Sequence, residues 1–323
     1  MTDIEHPEVF HSLPVLTLPG PAEPSTAPLP AADAVAWRLE SAWQDGLTFA
    51  ALWQHFLDTV DTSRVRALLI GPWWQEEYEP FAPVVELLAG HADRFPALKA
   101  LFLADVVSEE CELSWLEMSD ITPVIEAFGQ LEELTVRGCG EPADGRETLG
   151  LQPVRHKALK SLRFESGGLP SGIVRAIGAS ELSALEHLEL WLGVTEYGGD
   201  VTVEDLAPLL SGAVFPALRH LGLQNSEIQD EIAAAVASAP VVAQLESLSL
   251  AMGTLGDEGA QALLSGQPLT HLTTLDLHHH YISDALVDRL RNLLGSDRVN
   301  GEIHEVEYWD PEEDDDRYVA VSE

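Results

Sequence analysis

The sequence predicts an α/β solenoid, a horseshoe with a parallel sheet on its concave face and helices on its convex face. Two observations carry that prediction. A short aliphatic phrase, Leu-x-x-Leu-x-Leu, recurs at near-constant spacing, and a helical run lies between successive copies. The copies are Leu98-Leu101-Leu103, Leu131-Leu134-Val136, Leu159-Leu162-Phe164, Leu185-Leu188-Leu190, Leu218-Leu221-Leu223, Leu245-Leu248-Leu250 and Leu272-Leu275-Leu277, with Val65-Leu68-Ile70 as an eighth. Their first positions are 33, 33, 28, 26, 33, 27 and 27 residues apart. A unit of that length cannot bury its own apolar face, so such units stack. A doubly wound α/β domain also alternates strands with helices, but it does not require the same leucine spacing in every strand.

From the N-terminus, residues 14 to 32 are Pro-rich and read as an irregular lead-in, and AVAWRLE at 34 to 40 reads as a strand capping the first unit. Helical segments are expected at 47 to 58, 81 to 93, 120 to 128, 170 to 179 and 203 to 211. Three more follow. Gln229-Asp230-Glu231 opens an Ala-rich run closed by Pro240; Asp257-Glu258 precedes GAQALLSG; and Asp284 precedes a run stopped by Gly295. Acids at the start and Gly or Pro at the end suit helix polarity and capping. The organisation is thus a lead-in and cap over 1–59, a solenoid of about eight units over 60–300, and an acidic tail over 301–323. Residues 302 to 323 hold ten acids and one arginine. WDPEEDDD reads as solvated and lacks the ligand spacing of a calcium loop, whereas Tyr318-Val319-Ala320-Val321 is apolar enough to dock back as a strand.

The repeat resembles that of leucine-rich-repeat proteins of the ribonuclease-inhibitor type. The likeness is strongest at LTHLTTLDLHHHYIS and LESLSLAMGTLGDEGAQALL and covers residues 60 to 295. More narrowly, the chain is similar to a family of bacterial leucine-rich-repeat proteins with no established activity. The resemblance implies a recognition module. The asparagine usual nine places into each unit is replaced by Cys139, Gly167, Gly193, Ser226, Gly253 and His280, so a regular asparagine ladder is not expected.

The chain carries 54 Asp and Glu against 17 Lys and Arg, a net charge of -37. Such a surface repels phosphate backbones and anionic lipid, so nucleic acid and membrane are poor partners and a basic protein or peptide is the better one. Two cysteines are too few for a disulfide scaffold, and the acidic opening MTDIEHPEVF has no basic region of a signal peptide. A cytoplasmic protein is expected.

Strand alternation sends the fourth and sixth positions of each phrase into the core and the third, fifth and seventh onto the concave face. The third-position row is Ala67, Ala100, Glu133, Ser161, His187, His220, Ser247 and Thr274. The fifth is Leu69, Phe102, Thr135, Arg163, Glu189, Gly222, Ser249 and Asp276. The seventh is Gly71, Ala104, Arg137, Glu165, Trp191, Gln224, Ala251 and His278. This places Arg137 beside Glu165, Arg163 beside Glu189 and His187 beside His220. Those pairs either only satisfy one another or, with Trp191 as an exposed aromatic anchor and Gln224, Asp276 and His278 beyond, form a protein-binding patch. The longer step after Leu185 adds GVTEYGGD, whose Tyr197 would extend the rim. Trp73-Trp74 with Tyr78 forms a second aromatic cluster, either exposed or core.

No nucleophile, P-loop or dinucleotide motif is present, so catalysis and cofactors are not expected. The alternative is a metal-dependent enzyme component at the His278-His279-His280 tract, with His278, His280 and Asp276 the residue types that hold zinc; His187, His220 and Glu189 form a second such set. His280 also stands where the repeat asparagine bonds loop backbone, and Cys139 is expected inside its turn.

Overall fold

The computed structural model describes residues 4–21, 28–41, 46–75, 79–140, 148–302 and 317–322. Twelve strands form one sheet in chain order. They are β1 (Val9–Phe10), β2 (Leu13–Thr17), β3 (Ala36–Leu39), β4 (Ala67–Ile70), β5 (Ala100–Leu103), β6 (Glu133–Arg137), β7 (Ser161–Glu165), β8 (His187–Gly193), β9 (His220–Ser226), β10 (Ser247–Ser249), β11 (Thr274–Asp276) and β12 (Val299–Asn300). All neighbours pair in parallel except β1 and β2, which form an antiparallel hairpin. The helices between strands are α1 (Phe49–Thr59), α2 (Ala82–Gly90), α3 (Thr122–Ala127), α4 (Ser171–Gly178), α5 (Val203–Leu210), α6 (Gln229–Val236), α7 (Asp257–Ser265) and α8 (Asp284–Leu294).

The register keeps the phrases in phase. Leu68, Leu101, Leu134, Leu162, Leu188, Leu221, Leu248 and Leu275 are successive lateral partners. These residues, the sixth-position aliphatics and the inner faces of the helices make one continuous buried core. Parallel strands one unit apart place identical side chains side by side, which is why a strict leucine spacing produces a straight ladder. Two helix starts carry side-chain caps: Thr48 accepts the Ala51 amide at the head of α1, and Thr202 with Asp205 forms a reciprocal capping box at α5.

The N-terminal end departs from the sequence expectation. Residues 13–17 are not irregular; β2 pairs in register with β3, and Trp37 of β3 aligns with Leu68, so the ladder begins before residue 60. More consequentially, β1 folds over the concave face. Phe10 packs with Ala36, Ala67, Leu69, Ala100 and Phe102 in a second core separate from the first. The third and fifth positions of β4 and β5 are therefore buried, contrary to the exposed rows expected there. Their small and apolar side chains are what a covering segment requires. His11 anchors the arm to Glu133 at 2.9 Å.

Phe10→Ala removes a buried ring, a loss of about 3 kcal/mol at this site. Because the Phe10 cluster is separate from the main core, the expected result is local release and not global unfolding: amide exchange in Leu13–Thr17 accelerates about a hundredfold while α4 to α7 keep wild-type protection. Unchanged exchange in β2 would contradict the packing.

At the other end, the described tail docks as expected but without strand pairing. The side chain of Asn225 (φ 55°) accepts the Val321 amide at 2.9 Å and donates to its carbonyl at 2.5 Å, and Tyr281 donates to the Tyr318 carbonyl at 3.0 Å. Val319, Ala320 and Val321 are buried. Residues 309–316, the WDPEEDDD segment, lie outside the described residues, as does Tyr78. Among the described residues, no helix is long and apolar enough to cross a membrane.

Candidate functional site

In chain order, a line of charge crosses the sheet. It begins at Arg38 on β3, buried, whose Nε donates to Asp105 at 2.8 Å; Asp105 lies just past β5 and is fully buried. Arg137 on β6 approaches Asp105 at 3.8 Å, donates to the Val106 carbonyl, and makes a forked pair with Glu165 on β7 at 2.7 and 2.8 Å. Its guanidinium also lies 5.0 Å from the centre of the Phe102 ring. Arg163 bridges Glu165 and Glu189. Glu189 on β8 faces the Nε2 atoms of His187 at 3.4 Å and of His220 at 3.1 Å, and His220 Nδ1 meets Ser247 Oγ at 2.7 Å. The two imidazoles stack at 4.0 Å, 9° from parallel.

This is the arrangement that the register predicts: Arg137 opposite Glu165, Arg163 opposite Glu189, His187 opposite His220. Depth is where it differs. Third-row residues Glu133, Ser161, His187 and His220 are half-buried and reach the groove, whereas Arg137, Glu165, Glu189 and Gln224 are buried. Seventh-row Arg137 and Glu165 are buried against each other at the strand ends, and fifth-row Glu189 is buried among Arg163, His187 and His220. Burial opposes the charge of Glu189, but hydrogen bonds from His187 and His220 and the charge of Arg163 outweigh it and hold the carboxyl far below the usual range. A carboxylate taken out of water needs such partners.

Trp191 departs from its expected role. It is half-buried against the main core, and its indole nitrogen is buried with no hydrogen-bond partner among the described residues. A side chain held by the core is not the wet anchor that alternation suggests. Tyr197 lies half-buried in a short helical turn, Thr195–Tyr197, on a loop packed tightly against its neighbour: Gly193 has φ +71°, and a Cβ there would meet the Gly167 carbonyl at 1.9 Å. Asp200 from the same loop accepts the Ser171 amide and hydroxyl, capping α4. Asp276 and His278 stand apart from the network, past Ser247 and Ser249, paired with each other at 2.9 Å.

Among the described residues the histidine tract does not assemble a metal site. His280 is buried and its Nδ1 accepts the Ile282 amide at 3.0 Å, the loop-bonding role of the missing asparagine, while His279 Nε2 turns to the Tyr318 carbonyl. Cys139 fills the same role by accepting the Gly167 amide, and burial pushes its thiol up. Among the described residues the group of three metal-ligand side chains in range is His187, Glu189 and His220, with donor atoms within 4.8 Å of one another. Chelation needs the in-plane lone pairs of two imidazoles to converge. In near-parallel stacked rings they run side by side, and Arg163 already holds the carboxylate. The set is built as a hydrogen-bonded charge network.

His278 and His280 should titrate in opposite directions. The hydrogen bond to Asp276 raises His278 above the ordinary 6.5, against burial; burial lowers His280 below it. The raised group adds stability that is complete below 6.5 and is lost as pH rises through its folded value. The lowered group adds stability present above 6.5 and lost as pH falls. Proton NMR of the imidazoles is expected to give midpoints on either side of 6.5; the reverse order would contradict both environments.

Sequence reasoning missed Arg38, Asp105 and the covering arm. Arg38 was legible in principle, because AVAWRLE aligned on Trp37 puts Arg38 in the fifth row. Asp105 lies two places beyond the last aliphatic of its phrase, where the periodicity assigns no face.

A family model described as a leucine-rich repeat matches residues 244–264, the stretch that holds β10 and most of α7. Together with the in-phase ladder it decides the class. The chain folds as a leucine-rich-repeat solenoid. Thirteen solved chains match it, among them the crystal structure of a Bacteroides fragilis protein solved as a structural genomics target. The two are 26% identical with a TM-score of 0.74, over 88% of this chain and 76% of that one. None of the curated proteins matches. In this leucine-rich-repeat protein the groove is divided: its own arm covers the apolar half over β3 to β5, and an open cleft of about 880 Å³ extends over β6 to β8.

Proposed function

We propose that this is a non-catalytic, cytoplasmic protein-binding module that takes a basic protein or peptide in the open half of its concave groove. The observation that carries the reading is the arm itself. A segment of polypeptide with one inserted ring, Phe10, already occupies the first half of the groove, so the surface is one on which a peptide lies. The cleft continues from the arm along Glu133, Ser161, Arg163 and His187.

The charge of the lining sets the kind of partner. Glu5, Glu8, Glu133 and Glu165 line the cleft, and both of its arginines are already committed to carboxylates. On the rim, Glu227, Asp230, Glu231 and Glu258 surround a second cleft in which the chain's own Arg317 meets Asp230 at 3.2 Å. A basic side chain from a partner is the complement of both. With a net charge of -37 the approach of such a partner is accelerated at low ionic strength and slowed by salt.

Capture from a lysate of the producing cells, at about 50 mM and about 500 mM salt, tests this by mass spectrometry. Basic proteins retained at low salt and released at high salt are the expected result. A retained set that is acidic or indifferent to salt would refute the basic-partner reading.

A further inference from the structure

Away from the groove, the loops after β4 and β5 enclose a cavity of about 220 Å³ whose walls include three tryptophans, Trp73, Trp74 and Trp115. From this cavity we infer a binding site for an organic ammonium cation, the size of a trimethylammonium head group. The proposal goes beyond the groove and does not depend on it.

The walls are held in place from behind. Trp73 is buried, its Nε1 donates to the Glu79 carbonyl at 2.9 Å, and its ring meets Phe81 edge-on at 4.7 Å. Trp74 stands against it at 4.9 Å with the planes 85° apart, so the two indoles form adjacent sides of a box. Trp115, on the short turn Leu113–Trp115, is 52% exposed and lines the same cavity. The remaining wall is acidic: Glu79, Glu110, Glu112 and Glu117 line the same cavity, and among the described residues no basic side chain does.

This combination selects the ligand. A neutral apolar molecule would satisfy the indoles but desolvate the carboxylates without return. An anion would be repelled. A small inorganic cation seeks oxygen ligands and gains little from giving up water against three rings. An alkylated ammonium carries its charge under a methyl surface, so it sheds water easily, lies against indole faces as the best of the aromatic partners, and answers the carboxylates at longer range. Glu110 illustrates the wall's preference, since its other contacts include the Arg38 guanidinium at 3.4 Å.

The probe is choline, titrated into the full chain and followed through the indole N–H signals by NMR and by calorimetry. Its neutral isostere, 3,3-dimethylbutan-1-ol, has the same shape without the charge. The expected results are saturable 1:1 choline binding, at least about tenfold weaker binding of the isostere, and at least about a tenfold loss in Trp115→Ala, whose exposed ring leaves the fold intact. Glu112→Gln, which keeps the shape of the wall, is expected to weaken choline and leave the isostere unchanged. A peptide bearing trimethyllysine distinguishes a protein-borne head group, which binds more tightly than choline, from a free one, which binds no more tightly than choline. Absence of saturation, equal binding of choline and isostere, or an unaltered Trp115→Ala would overturn the proposal.

Discussion

Asp105→Ala is expected to lower the free energy of unfolding by about 3–5 kcal/mol, seen as a large fall in the urea midpoint. Asp105 is fully buried and receives the Nε of Arg38 at 2.8 Å and His6 Nδ1 at 3.0 Å, with Arg137 at 3.8 Å. Removing the carboxylate takes from the buried Arg38 its Nε partner and from Arg137 a countercharge 3.8 Å away, the costly way to break an ion pair. The contrast is Arg175→Ala at the exposed Arg175–Asp205 pair, 2.8 Å long on the helical face, where the loss is expected to stay below about 1 kcal/mol because water replaces the partner. Similar small losses in both variants would mean that the charge line across the sheet is not structural.

The same residues show what a sequence reader can and cannot see. Leu68 to Leu275 form a lateral ladder because each unit repeats the same local instruction, and local instructions are legible. Arg137 facing Glu165 follows from register alone, since parallel strands in phase place equal positions side by side. Depth does not follow. Whether Trp191 or Glu189 is wet depends on how tightly loops and neighbouring rings close over the sheet, and alternation says only which face a side chain takes. The arm was illegible for another reason. Val9 and Phe10 carry no repeat phrase, and the contacts of Phe10 with Ala67 and Phe102 span most of the first hundred residues. The apolar side chains at Ala67, Ala100, Leu69 and Phe102 were the available signal. A run of such residues on a face otherwise lined with Glu, Arg and His marks a covered surface.

The proposed function rests on that division of the groove. The arm covers the half that water would penalise, and the half left open offers carboxylates, stacked imidazoles and a paired arginine. A partner seated there has to lie over Ser161, which in register stands between Glu133 and His187 on the floor of the cleft. Ser161→Trp raises a large ring from that floor without entering the leucine core, so folding is retained while the space for a ligand is filled. The decisive measurement is the affinity of the salt-released partner for wild type and for Ser161→Trp, with unfolding midpoints measured alongside. A loss of about 2 kcal/mol or more in binding at an unchanged midpoint is the predicted result, whereas equal affinity of the two proteins would contradict a partner in the concave groove.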